Sequence, residues 1–219
     1  MNQTDHPNAL LLVSSRCPHC HALETLLRER MATGLLGKLE VINIDQTPEV
    51  AQQYGVRSVP WLRLGSFVFD EALTPAELDR WIEQAKQAGG QSRYIAHLLG
   101  TGRLVKAIEW IEAGNARLMA IMPLLADPDE KINVRAGVGA ILEHFEDTPA
   151  IRALVPDLIA LLQDSNPMIR TDACHYLSLT HCRDAIDPLK QLLEDEEPQV
   201  REVAAESLEA LMNPSHPAE

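Results

Sequence analysis

No run of apolar residues in this 219-residue chain approaches the roughly 20 needed for a helix to cross a bilayer, so no membrane-spanning helix is expected. The opening "MNQTDHPN" is polar and lacks the basic stretch and apolar core of a secretory signal, and the chain is therefore expected to be cytoplasmic. Aromatic residues are scarce at 4%, while Ala and Leu dominate a hydrophobic content of 46%. That bias favours helices packed on helices. Positive charge is also short, with 19 Lys and Arg against 32 Asp and Glu. Residues 1–90 carry a net charge of −3 and residues 91–219 a net of −10. Such a chain repels phosphate backbones, so no nucleic-acid partner is expected. It leaves a basic protein partner or a simple solvated acidic face.

Only four cysteines are present, and two of them stand close together in "SSRCPHC". Cys17 and Cys20 enclose Pro18 and His19 directly after the apolar run "ALLLV". A CxxC pair is a redox couple, half of a metal site or a structural staple. In a reducing compartment the staple is disfavoured. Zinc requires four ligands, and the nearby candidates His19 and His21 point in different directions from a first helical turn. No metal or other cofactor is called for, which leaves redox chemistry as the favoured reading.

The surroundings support it. "NALLLVSS" has the length of a buried strand. "HALETLLRERMATG" places Ala22, Leu23, Leu26, Leu27 and Met31 on one helical stripe, with Gly34 as its stop. "LEVINID" alternates as a second strand, and "TPEVAQQYG" opens a helix on Thr-Pro. "SVPWLRLGSFVFD" gives two strands, Trp61–Leu64 and Phe67–Phe69, joined by a Gly65-Ser66 hairpin. "TPAELDRWIEQA" carries a capping box of Thr74 and Glu77. The predicted order is β-α-β-α-β-β-α. A cysteine between a strand end and a helix start meets the positive pole of the helix dipole and unpaired N–H groups. CxxC thiols at such sites titrate from about 7 down to about 3.5, against about 8.5 for free cysteine. Cys17 is the expected nucleophile, and Cys20, one turn inside, resolves the mixed disulfide. Arg16 adds a cation, and His19 can donate to the thiolate.

Residues 8–85 resemble a thioredoxin fold of the shorter kind, on the strength of CxxC after the first strand and of "SVP" at 58–60. The resemblance implies that Pro60 is cis and lies against the cysteines. It also implies that Val59, Pro60 and Trp61 form the substrate-binding side, with the Val59 backbone pairing to a substrate strand. Arg16 stands where the family usually has tryptophan, and Leu11 where it has a buried acid. Cys-Pro-His-Cys is the motif of disulfide oxidases rather than of reducing thioredoxins.

After a polar break at residues 86–93, "KQAGGQSR", the sequence repeats. "DEKINVRAGVGAIL", "DSNPMIRTDACHYL" and "DEEPQVREVAAESL" share an Asp and, six residues on, an Arg behind a β-branched residue. Arg135, Arg170 and Arg201 are spaced 35 and then 31 residues apart. Between them "LMAIMPLLAD", "IRALVPDLIALLQD" and "AIDPLKQLLEDE" each read as a helix ending in an acidic turn. Two helices at this period mark a solenoid. The segments resemble HEAT repeats in their short form, which implies a protein-binding scaffold without chemistry of its own. The expected organisation is a thioredoxin-like α/β domain over 1–90 and an all-α HEAT-like domain over 91–219. Within the latter, residues 94–126 cap three repeats over 115–212. The recurring Arg is expected to bond turn to helix. Cys174, at the repeat position of Ala205, reads as a core thiol. Cys182 would lie about 12 Å away along a continuous helix, too far for a disulfide.

The combined expectation is a thiol-disulfide oxidoreductase working through Cys17 and Cys20. Its substrate would be a disulfide- or thiol-bearing protein bound by the repeats. Two alternatives stand beside it: a redox-switched adaptor without turnover, and a glutaredoxin-like, glutathione-dependent enzyme, the latter weakened by the lack of a glutathione-binding pattern after Pro60.

Overall fold

Leu10, Leu11 and Leu12 make β1 (Ala9–Val13) the hydrophobic centre of a four-stranded sheet. The computed structural model describes residues 6–114 and 116–213, and the chain divides into two units, Met1–Gln91 and Ser92–Glu219. In the first unit β1 is followed by α1 (Cys20–Ala32), β2 (Leu39–Asn43), α2 (Pro48–Gln53), β3 (Trp61–Leu64), β4 (Phe67–Phe69) and α3 (Pro75–Gln84). This is the order read from the sequence. The strands lie β2-β1-β3-β4. β2 runs parallel to β1 from Ala9↔Leu39 to Val13↔Asn43. β3 runs antiparallel to β1, ending at Leu12↔Trp61, and β4 antiparallel to β3.

Alternation along the strands divides the core between two faces. Leu10, Leu12 and Trp61 cluster with Ile42 of β2 and with Val50 and Tyr54 around α2. The opposite face presents Phe67 and Phe69, whose rings meet Trp81 of α3 at 5.6 and 5.4 Å. On α1 the stripe is narrower than the sequence suggested. Cys20, Leu23 and Leu27 are buried, whereas Ala22 and Met31 are exposed, because spacings of three and four residues keep only one line of side chains inward. Arg30 of α1 chelates Asp79 of α3 through Nε–Oδ1 at 2.6 Å and Nη2–Oδ2 at 3.0 Å, tying the two helices side by side. The Thr74–Glu77 capping box forms at the start of α3. Gly65 turns the β3–β4 hairpin at φ +58°, a conformation that favours glycine.

The remaining helices are α4 (Gly90–Gly100), α5 (Leu104–Glu112), α6 (Met122–Leu125), α7 (Ile132–His144), α8 (Pro149–Arg152), α9 (Val155–Leu161), α10 (Pro167–Ser178), α11 (Ile186–Gln191) and α12 (Pro198–Met212), with short 3₁₀ turns between some of them. The leading helix of each repeat is broken rather than continuous, which corrects the sequence reading. Pro123 and Pro156 sit in the first turns of α6 and α9, where a missing N–H is tolerated, and each starts a new helix instead of extending the last. The trailing helices α7, α10 and α12 bury Val134 and Val138, Ile169, Ala173 and Leu177, and Val200, Ala204 and Leu208 at helical spacing. α10 packs on both α9 and α12, which is the stacking of a solenoid.

The repeated arginines bond turn to helix. Arg170 Nη1 donates to the Asp164 carbonyl at 2.9 Å, Arg201 Nη1 to that of Asp195 at 2.6 Å, and Arg135 Nη1 to that of Asp127 at 3.0 Å. In the first repeat the turn residue is therefore Asp127 and not Asp129, since that turn is two residues longer. Two of the arginines also reach forward a repeat. Arg135 pairs with Asp172, and Arg170 grips both oxygens of Asp195 at 2.9 and 2.7 Å.

Cys174 is fully buried, whereas its counterpart Ala205 is exposed. The continuous helix expected between Cys174 and Cys182 is absent as well. α10 ends at Ser178, His181 takes φ +50°, and Cys182 precedes a 3₁₀ turn at Arg183–Ala185.

Candidate active site

Two parallel strands and one antiparallel neighbour decide where the chemistry gathers. β1 and β2 both end at the Val13↔Asn43 rung, and β3 begins opposite Leu12. The cysteine turn after β1, the loop after β2 and the Val59–Pro60 segment before β3 therefore emerge at the same end of the sheet. Val59–Pro60 is a cis peptide, as the family resemblance implies. The β1–β3 register stops at Trp61, so the Val59 amide and carbonyl lie beyond that ladder.

Cys17 and Cys20 form a disulfide with their Cα atoms 5.5 Å apart. Cys17 is half-buried in the turn before the helix, and its N–H donates to the Ser14 carbonyl at 3.1 Å. Cys20 is 3% exposed and is the first residue of α1, so it opens the helix instead of lying a turn inside it. Both sulfurs thus sit at the end of α1 where backbone N–H groups lack helical partners. Pro18 and His19 between them are exposed, and His19 occupies the N-cap position without a capping side-chain bond. Arg16 is exposed next to Cys17. Leu11, where the resemblance implies a buried acid, is a fully buried apolar side chain.

Val59 is half-buried and Pro60 buried. Trp61 differs from expectation. Its ring is 8% exposed, stacks on Tyr54 at 5.4 Å and belongs to the Leu10–Leu12 cluster. Its side chain is committed to the core, not offered to a partner.

Four residues that the sequence reading passed over hold the cysteine turn. Asp45, just past β2, accepts from the Ser14 hydroxyl with both oxygens at 3.0 Å and from the Ser15 N–H at 2.7 Å. Asn43 donates through Nδ2 to the Ser15 hydroxyl at 3.0 Å, and its side-chain Oδ1 accepts from the Asp45 N–H at 2.9 Å. The Ser15 N–H and Ser14 hydroxyl, with a smaller contribution from the charge of Arg16, hold the Asp45 carboxyl below its usual range. The available signal was topological. Parallel neighbours send their following loops to the same edge, which brings a residue just after "LEVINI" to the turn after "ALLLV".

Cys174 and Cys182 are free thiols outside this site. Burial pushes the Cys174 thiol up to about 12, the character of an inert core cysteine. Among the described residues no group of three or more His, Cys, Asp and Glu is placed to hold a metal ion, and no helix is long and apolar enough to cross a membrane.

No curated protein matches the chain. Residues 9–83 match the thioredoxin domain family, and residues 118–209 match HEAT repeats. Sheet order, cysteine turn and repeat arginines agree with those two matches, and the chain is a thioredoxin domain with a Cys-Pro-His-Cys pair followed by HEAT repeats.

Proposed function

We propose that this protein is a thiol-disulfide oxidoreductase acting on a protein partner that its HEAT repeats bind. The observation that carries the reading is the asymmetry of the Cys17–Cys20 pair: one sulfur residue is half-buried in a turn and the other is buried at the first position of α1. A partner can reach only the outer cysteine. In the reduced protein the Cys17 thiolate attacks one sulfur of a partner disulfide, forming a mixed disulfide and releasing the partner's other sulfur, which takes up a proton. The Cys20 thiol gives up its proton and attacks the Cys17 sulfur. Cys17–Cys20 reforms, and the second partner sulfur leaves as a thiol. Two electrons pass to the partner, and the reverse sequence oxidises a partner dithiol.

The Val59 backbone, beyond the end of the β1–β3 ladder, is suited to hold an extended partner segment by backbone pairing, with Pro60 next to it. Arg16 and His19 supply cationic or donor groups beside the reacting sulfurs. The HEAT repeats add a scaffold on the same chain, which raises the local concentration of a bound partner without altering the thiol chemistry.

Cys20→Ser tests the mechanism. That variant is expected to retain partner proteins on Cys17 as mixed disulfides, released by a small dithiol. Capture of the same proteins in equal amount by Cys17→Ser would overturn the assignment.

A further inference from the structure

Asp45 lies on neither cysteine-bearing element, yet it makes more bonds to the cysteine turn than any other described side chain. We propose that Asp45 is a positioning residue for the Cys17–Cys20 pair, which clamps the turn at residues 14–16 and sets a fixed negative charge against Arg16. The inference rests on the redox reading above and names a residue that tunes that site.

The geometry has three parts. The carboxylate takes the Ser15 N–H at 2.7 Å and the Ser14 hydroxyl at 3.0 Å. The same hydroxyl oxygen accepts from the Arg16 N–H at 3.3 Å, so the carboxylate's hold passes through Ser14 to the residue next to Cys17. The Ser14 carbonyl then accepts from the Cys17 N–H at 3.1 Å, which fixes where the reactive residue leaves the strand. Asn43 supports the acid from behind through its bonds to the Asp45 N–H and the Ser15 hydroxyl. Every member of the clamp is at the carboxyl ends of β1 and β2, the rigid part of the turn's surroundings.

Charge follows from the same placement. Arg16 alone would favour a thiolate at Cys17. With Asp45 held against the turn, the Arg16 cation is partly offset, and a fixed carboxylate there opposes further negative charge on the cysteine turn. Asp45 therefore shifts the couple toward the disulfide, making the pair less oxidising than Arg16 and His19 imply.

The test compares the full-length wild type with Asp45→Asn and Ser14→Ala. Each is equilibrated with glutathione, in the reaction where the Cys17–Cys20 disulfide and two glutathione thiols give the dithiol and one glutathione disulfide. Alkylation of Cys17 in the reduced proteins and far-UV circular dichroism are read in parallel. Asparagine keeps an acceptor for Ser15 and removes the charge. It is expected to move the equilibrium toward the dithiol by about two- to fivefold and to speed alkylation at neutral pH, the range for an exposed charge pair. Ser14→Ala leaves the charge and cuts the hydroxyl link. Its equilibrium should stay within about twofold of wild type while its rate of exchange with a peptide disulfide falls by about three- to tenfold. An unchanged equilibrium and alkylation rate in folded Asp45→Asn overturns the inference. So does an unchanged exchange rate in Ser14→Ala, which decides the matter if Asp45→Asn does not fold. A wild type that never equilibrates with glutathione or exchanges with the peptide disulfide would refute the oxidoreductase reading instead, while Cys17 alkylation still reports on Asp45.

Discussion

Replacing Arg170 with alanine removes a buried ion pair of the repeat unit. The Arg170 and Asp195 side chains are 8% and 9% exposed, and they share two bonds at 2.9 and 2.7 Å. Arg170 also satisfies the Asp164 carbonyl at 2.9 Å. Breaking a buried pair by deleting one partner costs about 3–5 kcal/mol, because the other charge stays behind. Asp195 retains the Glu197 N–H at 3.0 Å and lies at a turn that water enters once the guanidinium is gone. The lower end, about 3 kcal/mol, is therefore expected. Arg201 is the internal control. It occupies the same repeat position, but among the described residues its hydrogen bonds go to the backbone carbonyls of Asp195 and Glu196, at 2.6 and 3.1 Å, and its charge acts on the Asp195 carboxyl only as a lesser influence than that of Arg170. Its loss should cost about 1 kcal/mol. Urea denaturation followed by far-UV circular dichroism reads both, since the helical signal comes mainly from the repeats. The difference has a pH signature. The Arg170 guanidinium, and after it the Glu197 N–H, hold the Asp195 carboxyl below its ordinary value. A depressed carboxyl contributes stability above the unfolded value, about 4, and loses it as pH falls through the folded one. The gap between wild type and Arg170→Ala should be full at neutral pH and close progressively below about pH 4. Equal losses in Arg170→Ala and Arg201→Ala, or a gap that widens in acid, would refute the reasoning.

Two further outcomes follow from close packing. A Cβ built on Gly90 would stand 1.9 Å from the Gln84 carbonyl oxygen, whereas one on Gly89 meets nothing within 4 Å. Gly90→Ala should lower stability by about 2 kcal/mol or more and Gly89→Ala by less than about 0.5, read by the same urea titration; equal effects would show that the turn after α3 yields freely. Cys174 is fully buried with its thiol raised to about 12, and Cys182 is half-buried. In a Cys17→Ser/Cys20→Ser background at neutral pH, Cys182 should be alkylated at least tenfold faster than Cys174, as mapped by mass spectrometry of digests, and the order should vanish in denaturant.

Local chemistry was legible in the residues themselves. The order of strands and helices, the Gly65 turn, the Thr74–Glu77 box, the cysteine pair and the period of the arginines all depend on neighbours within a few positions or on a repeat. Hydrophobic periodicity and capping chemistry report those directly. What the tertiary structure decided involves residues far apart in the chain. Trp61 belongs to the core because Tyr54 is folded onto it. Cys174 and Ala205 share a repeat position yet differ in burial, because burial depends on which helices pack around each position and not on the position in the repeat. Asp45 reaches the turn of Cys17 only because β1 and β2 run parallel and end on the same rung, 30 residues of chain apart in the Ser15–Asp45 bond. A propensity or a motif carries no information about such pairings. They are set by which strands pair, in which direction and in which register, and those choices minimise the free energy of the whole sheet rather than of any segment.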